Sequence, residues 1–301
     1  MYVSQTISVR LSVIIVTYNN ADEIEACLAA LRDATQQFPT QVILIDNASQ
    51  DNTREILHTM SPLFSNIRLI FNDRNAGFTK SVNQGLHVAG GDYILLVNPD
   101  TVLSENTFPI LFSELRARDD IGVIAPQFRY SDGSIQPSCR RFPRHRDVLF
   151  HLFGLHILFP KSALFNGWKM GDFDHCHELL VDQPQGAFLL VKRGAYQQIG
   201  LLDESFPMFF SDVDWCRRFV DQGWKILFTP KISIIHHKGR SIYSNRIPLI
   251  WSSHKSFIRY FQKYYRGGFR TLLNSVTAIA LLIMAGLRIV FNYVIQKMNR
   301  F

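Results

Sequence analysis

A chain of 301 residues and 34.7 kDa, 47% apolar and 19% charged, is long enough for one large domain with an appendage and too apolar to be disordered. Its four cysteines, Cys27, Cys139, Cys176 and Cys216, are scattered without a C-x-x-C pair, which argues against a disulfide framework or a zinc ribbon. The net charge of +7 divides unevenly: no Asp or Glu follows Asp221, whereas thirteen Lys/Arg do, so a purely basic tail follows an acidic front.

Met1–Arg10 has no apolar core of signal-peptide length, so secretion is not expected. Next come four short runs rich in Val, Ile and Leu: Ser12–Val16, Gln41–Ile45, Ile67–Phe71 and Tyr93–Val97. Continuous apolar runs of this length predict strands buried on both faces. Helix-like stretches lie between them at Asp22–Arg32, Asp51–Met60 and Thr79–Val88, and the first two open on residues suited to capping. This alternation predicts an α/β fold with a mostly parallel sheet, in which ligands lie beyond the carboxyl ends of the strands. Thr17, Tyr18, Asp46, Asn47, Arg74, Asn98 and Asp100 follow those ends.

Several of these residues have a chemistry to offer. Asp46 could accept hydrogen bonds from a base or ribose, or simply make a turn. Asn98-Pro99-Asp100 leaves a hydrophobic strand abruptly, and a carboxylate there can hold a hard cation together with substrate phosphates. Gln127–Gln185 is less regular, with a basic loop at Arg140, Arg141, Arg144 and Arg146 that could grip a phosphorylated acceptor. His175-Cys176-His177 resembles a metal site in composition, but its spacing does not place the ligands on one face. Regularity returns at Gly186–Val191 (strand), Arg193–Ile199 and Asp212–Asp221 (helices) and Lys225–Phe228 (strand). Asp212 and Asp214 open the second of these helices, where a carboxylate facing a substrate hydroxyl can act as general base and one facing the backbone is a cap. His236-His237-Lys238-Gly239-Arg240-Ser241 combines possible metal and phosphate contacts.

The tail has two parts. Ser252–Arg270 carries cations at helical spacing with aromatic residues on its other faces, and Gly267-Gly268 ends the pattern. Thr271–Leu287 is uncharged and apolar, near the lower limit of about 17–25 residues for a bilayer span. A basic, aromatic helix followed by an apolar one predicts membrane association. The apolar run does not suit a soluble arm for nucleic acid, so no nucleic-acid partner is expected.

Six stretches in this order resemble family 2 inverting glycosyltransferases of the GT-A fold, in particular the rhamnosyltransferase-like branch of bacterial cell-surface polysaccharide synthesis. They are Ser12–Asn20, Val42–Thr53, Arg74–Leu86, Leu95–Thr101, Gln185–Arg218 and His236–Ser241, which span most of Ser12 to Ser241. The resemblance implies a GT-A nucleotide-diphospho-sugar transferase fold over residues 1–245, with 246–301 as a helical membrane-associating segment. It implies that Thr17, Tyr18, Asp46, Arg74 and Asn98 bind the nucleotide sugar, with Asp46 at the base and Arg74 near the base or diphosphate. Asn98-Pro99-Asp100 stands where the family has D-x-D, so Asp100, with His236 favoured over His237 by its spacing to Gly239 and Ser241, would hold Mg²⁺ or Mn²⁺. Asp212 matches the general base, while Asp214, Arg140 and Arg141 are candidates for acceptor contact. The implied activity is a metal-dependent transfer, with L-rhamnose from dTDP-rhamnose the favoured donor. The implied acceptor is a glycan hydroxyl, carried on a lipid diphosphate at the cytoplasmic face of an anionic membrane. Ser211 stands where the family usually has Glu, which leaves an inactive scaffold of a polysaccharide-assembly complex as one alternative. A sugar nucleotidyltransferase is the other, although it would not need Asp212.

Overall fold

The computed structural model describes residues 10–237 and 246–298. The front half alternates β1 (Leu11–Thr17), α1 (Ile24–Thr35), β2 (Thr40–Asp46), α2 (Thr53–Met60), β3 (Ile67–Phe71), α3 (Phe78–Val88) and β4 (Tyr93–Val97). After β5 (Thr101–Val102) come α4 (Thr107–Ala117), β6 (Ile121–Arg129), β7 (Ile135–Gln136) and β8 (Cys139–Arg140). The middle holds α5 (His145–Leu152), α6 (Leu155–Leu158), β9 (Leu179–Leu180), β10 (Gln183–Pro184) and β11 (Phe188–Lys192). The chain continues with α7 (Arg193–Ile199), α8 (Ser211–Asp221) and β12 (Lys225–His236), then α9 (Arg246–Tyr264) and α10 (Phe269–Met298).

One sheet runs in the order β3-β2-β1-β4-β11-β6-β12-β5, with β7 beside β6 and β9 beside β12. β3, β2, β1 and β4 are mutually parallel, as continuous apolar runs require when both faces are covered. β11 enters antiparallel to both β4 and β6, so the sheet is mixed rather than uniformly parallel. One core lies on each side, with Ile14, Ile43 and Ile94 on one face and Val13, Leu44 and Leu95 on the other. That is the alternation along a strand expected from its two-residue period.

The N-cap residues of α1 and α2, Glu23 and Asn52, make no side-chain cap bond, but the expected capping Asp51 does serve α2. It accepts from the backbone N–H and hydroxyl of Thr53 at the start of α2.

Two features of the back half position the site. β12 is longer than its apolar run Lys225–Phe228 suggests. Its register against β6 jumps between Thr229 and Ser233, and the strand then resumes against Gln127–Arg129. A bulge of this kind re-aims a strand, and here it brings His236 opposite Thr101 of β5. α9 belongs to the core, with Phe257, Tyr260 and Phe261 buried in the cluster that includes Phe210 and Trp215.

Candidate active site

At the carboxyl end of the parallel strands, Thr17, Asp46 and Phe71 lie side by side in register. Backbone hydrogen bonds extend the ladder by one step, from Asn47 to Thr17 and from Asn72 to Asp46. Asp46 is fully buried, with Arg54 Nε 2.6 Å from its Oδ2 and Thr17 Oγ1 3.3 Å from its Oδ1. The backbone N–H of Ser49 also donates to Oδ2, and Arg54 reaches on to the Asn72 carbonyl. Asp46 therefore holds the loop after β2 to the loop after β3. Tyr18 is exposed beside it, and so is Arg74 on the loop after β3. Arg54 was not foreseen, because nothing at its own position marks it as the partner of a strand-end carboxylate.

The second half of the site forms around the junction of β4 and β11. The Asn98 N–H donates to the Ala187 carbonyl at 2.9 Å, and the preceding N–H, that of Gly186, donates to Asp212 Oδ2 at 3.1 Å. Gln183 Nε2 adds a bond to the same oxygen at 3.3 Å, while Oδ1 accepts from the Val213 N–H at 2.9 Å. Asp212 thus touches the segment that pairs with the start of Asn98-Pro99-Asp100, although 111 positions separate Asp212 from Thr101, the residue closing that turn. Gly186 is required here: a Cβ would lie 2.8 Å from both Cβ and Oδ2 of Asp212. Burial raises the Asp212 pKa, only partly offset by the bonds from Val213, Gly186 and Gln183.

Asp212 occupies the first turn of α8, which Phe210 enters at φ +69°, in the left-handed region. For a bulky residue this conformation is costly and persists only when its surroundings enforce it. Enforcement comes from α9, whose Phe257 ring lies 4.6 Å from that of Phe210 with Tyr260 5.6 Å away. Ser211, which the resemblance sets where a Glu is expected, is buried and donates its hydroxyl to the Met208 carbonyl, closing the turn.

Asp100 meets His236 through the β5–β12 pairing, with 3.5 Å between Asp100 Oδ1 and His236 Nε2. Asp100 Oδ1 is buried and accepts no hydrogen bond, and burial pushes the pKa of this carboxyl up to about 6. The other ring nitrogen of His236, Nδ1, lies 2.6 Å from Gln136 Oε1, while Gln136 Nε2 donates to the His236 carbonyl. An amide oxygen can only accept, so Nδ1 carries the proton in the neutral ring and Nε2 presents its lone pair on the Asp100 side. One orphaned carboxylate oxygen beside an imidazole nitrogen of the ligand tautomer fits a divalent cation that draws its remaining ligands from substrate and water. Among the described residues no group of three His, Cys, Asp or Glu side chains is placed to hold a metal ion. Of the segment His236–Ser241, residues 238–241 lie outside the described residues.

The acceptor candidates fare differently. Asp214 is corrected: its side chain is fully buried, paired with Arg218 at 2.9 Å and Lys263 at 2.5 Å, and bonded by Tyr264 OH at 2.7 Å. It has no surface to offer an acceptor and instead ties α8 to α9. Arg140 lies on β8 beside Gln183 of β10, with its guanidinium donating to the Cys139 and Pro137 carbonyls. Arg141 pairs with Asp172 at 3.5 Å. His175 is buried, its Nε2 accepting from the Cys139 N–H and its Nδ1 3.1 Å from the Phe173 carbonyl, so the ring braces the β8 segment.

Comparison with known proteins gives a consistent answer. The family model "Glycosyl transferase family 2" matches residues 12–176. An N-acetylglucosaminyl-diphospho-decaprenol L-rhamnosyltransferase of Mycobacterium tuberculosis is 28% identical over 274 residues, 87% of each chain. Among solved structures, the mannosyltransferase PcManGT from Pyrobaculum calidifontis, in complex with GDP-Man and Mn²⁺, superposes with a TM-score of 0.58 at 17% identity. That match covers 92% of this chain and 75% of the other. The S. aureus TarS crystal structure gives a TM-score of 0.53 at 16% identity over 75% of this chain, which spans only 36% of TarS. At these identities the structural matches speak for the GT-A fold alone.

Proposed function

From the premise that this chain belongs to glycosyl transferase family 2, we propose that it is an inverting glycosyltransferase acting on a nucleoside-diphospho-sugar, with dTDP-rhamnose as its donor. Its acceptor is a hydroxyl of a glycan carried on a lipid diphosphate, which sets the reaction at the cytoplasmic face of the cell membrane in the synthesis of cell-surface polysaccharide. The name of the mycobacterial relative supports both the sugar and the class of acceptor.

One observation carries the reading. Asp212 and the Asn98–Asp100 turn are joined through Gly186 and Ala187, so a carboxylate with a raised pKa and one whose Oδ1 lacks a hydrogen bond lie at the same end of the sheet. The nucleotide lies over the ends of β1, β2 and β3, where the exposed Tyr18 and Arg74 reach its base or diphosphate, while Thr17 and Asp46, expected at the base, are fully buried and instead hold the loops beneath it. Asn98 turns toward the ribose. Asp100 and His236 would hold Mg²⁺ or Mn²⁺, whose positive charge, when bound, offsets the charge developing on the diphosphate. Asp212 takes the proton of the acceptor hydroxyl as that oxygen attacks the anomeric carbon from the side opposite the leaving group. The new C–O bond forms as the bond to the diphosphate breaks, which inverts the configuration without a covalent enzyme intermediate. Its elevated pKa suits Asp212 to this task, because a base works best near the operating pH.

Thermal shift against a panel of nucleotide sugars, with and without Mn²⁺, tests the donor. A stabilisation specific to dTDP-rhamnose and enhanced by the ion is expected; indifference to every donor would refute the reading. A transfer assay with Asp212→Asn and Asp100→Ala then tests the two named roles.

A further inference from the structure

α10 is long and apolar enough to cross a bilayer over Phe269–Phe291, yet its packing is that of a helix laid along the protein. Thr277, Ala280, Leu281 and Ala285 form a narrow buried stripe at helical spacing. At its start, Asn274 accepts from His145 of α5 and donates to the Tyr265 carbonyl after α9. Toward its end, the charge of Arg288 acts on His254, in the middle of α9. α10 therefore folds back antiparallel over α9, whose other side holds Lys263 against Asp203 and Asp214. If α10 stood upright in a bilayer, it would pull this ion-paired helix into hydrocarbon with it, at a cost of several kcal/mol per unsatisfied charge.

Much of the described remainder of α10 is exposed. Leu272, Ile279, Ile283 and Leu287 are 50–62% exposed. A second bare apolar segment, more than a hundred residues earlier, adjoins it through α5, which packs against α10. There Phe153, Ile157 and Leu158 are 69–70% exposed on the α5–α6 turn. Two sequence-distant patches this apolar are far beyond the scattered exposure of an ordinary soluble surface. Cations accompany them: Lys161 beyond α6, Arg266 and Arg270 at the start of α10 and Arg288 further on are all exposed, and no acidic residue follows Asp221.

We propose that the outer face of α10 and the α5–α6 turn form one membrane-docking surface that lies in the headgroup region of an anionic bilayer, with α10 parallel to the bilayer rather than across it. Apolar groups enter the acyl boundary while the surrounding cations meet lipid phosphates. This gives a location to the membrane association in the proposed function, but it stands on the surface itself and is tested without any sugar transfer.

The test uses the full chain and flotation with vesicles of phosphatidylcholine, with or without phosphatidylglycerol. Wild-type protein is expected to float with the anionic vesicles and to release as salt is raised. The pairs Ile157→Glu with Leu158→Glu, and Ile279→Glu with Ile283→Glu, should each reduce the bound fraction by roughly tenfold or more, the equivalent of two apolar side chains left in water. Each variant should keep its melting temperature and its binding of nucleotide sugar in solution, because these side chains are exposed and far from the site in sequence. A C-terminal tag, in spheroplasts of a bacterial host, should stay protected from added protease and become accessible in inverted vesicles. Flotation of the Ile157/Leu158 variant at the wild-type level would overturn the shared surface. A tag cleaved in intact spheroplasts would show instead that α10 crosses. Light scattering that finds a dimer dispersed by the Ile279/Ile283 pair, without flotation of the wild type, would assign the face to a second copy.

Discussion

The carboxylate of Asp212 lies in the first turn of α8, where the helix dipole favours its charge, yet burial outweighs that and the three donors around it, and its pKa is raised. In its proposed role as base it must be ionised, so the rate of transfer should rise with pH through this raised value and fall on the acid side above the ordinary carboxylate range. The stability linkage runs the other way. The folded protein keeps this proton to higher pH than the unfolded chain does, so the contribution to stability is greatest below the unfolded pKa and is lost as pH rises through the folded one. A pH–rate profile should show the limb, and Asp212→Asn should remove it along with roughly 10²–10⁴ of the rate. Gly186→Ala tests position rather than charge. Its Cβ would displace Asp212, so kcat should fall by up to about 100-fold while donor binding holds; an unchanged kcat would mean that the carboxylate tolerates the shift. Asp212, Asp100 and His236 could be singled out in the sequence because each carries chemistry and stands in a recognisable stretch, and the proposed mechanism gives them their roles. Gln136, Gln183 and Arg54 were not, because a glutamine or arginine has no signature at its own position and only the fold brings Gln136 to His236 across 100 residues.

At the scale of elements, β1 to β4 were readable because a strand buried on both faces is apolar throughout, and Ile67–Phe71 and Tyr93–Val97 appear with the expected bounds. β6 gave a weaker signal, since Gly122 and Pro126 interrupt its apolar run. The extension of β12 through Pro230 to His236 depends on a bulge opposite Pro126 that no periodicity reveals. α9 was visible as a basic, aromatic helix, but the same pattern suits a surface anchor and a core helix, and it is the aromatic side that the core takes. That distinction has a consequence for catalysis. Phe257 of α9 helps to hold Phe210 in its left-handed conformation two residues before Asp212. Phe257→Ala should therefore cost about 3–5 kcal/mol of stability from the cavity alone. It should also lower kcat more than it changes KM for the donor, because Asp212, the proposed base, loses its fixed entry into α8. Denaturant melts beside steady-state kinetics check both. Loss of stability with an unaltered kcat would confine Phe257 to packing.

For the whole molecule, the question is where the catalytic unit ends. The expected division at 245/246 falls at the edge of the undescribed residues 238–245, and the helix that follows it supplies Phe257, Tyr260 and Phe261 to the core and Lys263 to the buried Asp214. Three buried rings contribute roughly 5–9 kcal/mol, and an Asp214 left without one of its cations adds a penalty of the order of 3–5 kcal/mol. Together these rival the entire net stability of a typical domain, about 5–15 kcal/mol. A chain ending at Asn245 should thus fail to fold, appearing in inclusion bodies or without a cooperative melt. A chain ending at Gly267 keeps α9, the Phe210 contact and the Lys263 pair, and loses only α10, whose burial is confined to one stripe. It should melt cooperatively, bind nucleotide sugar and stay off anionic vesicles. Far-UV melts and flotation of the two truncated chains decide the matter. If the shorter one folds and binds donor, α9 is an appendage after all, and the coupling of Asp212 to the tail through Phe210 has no physical basis.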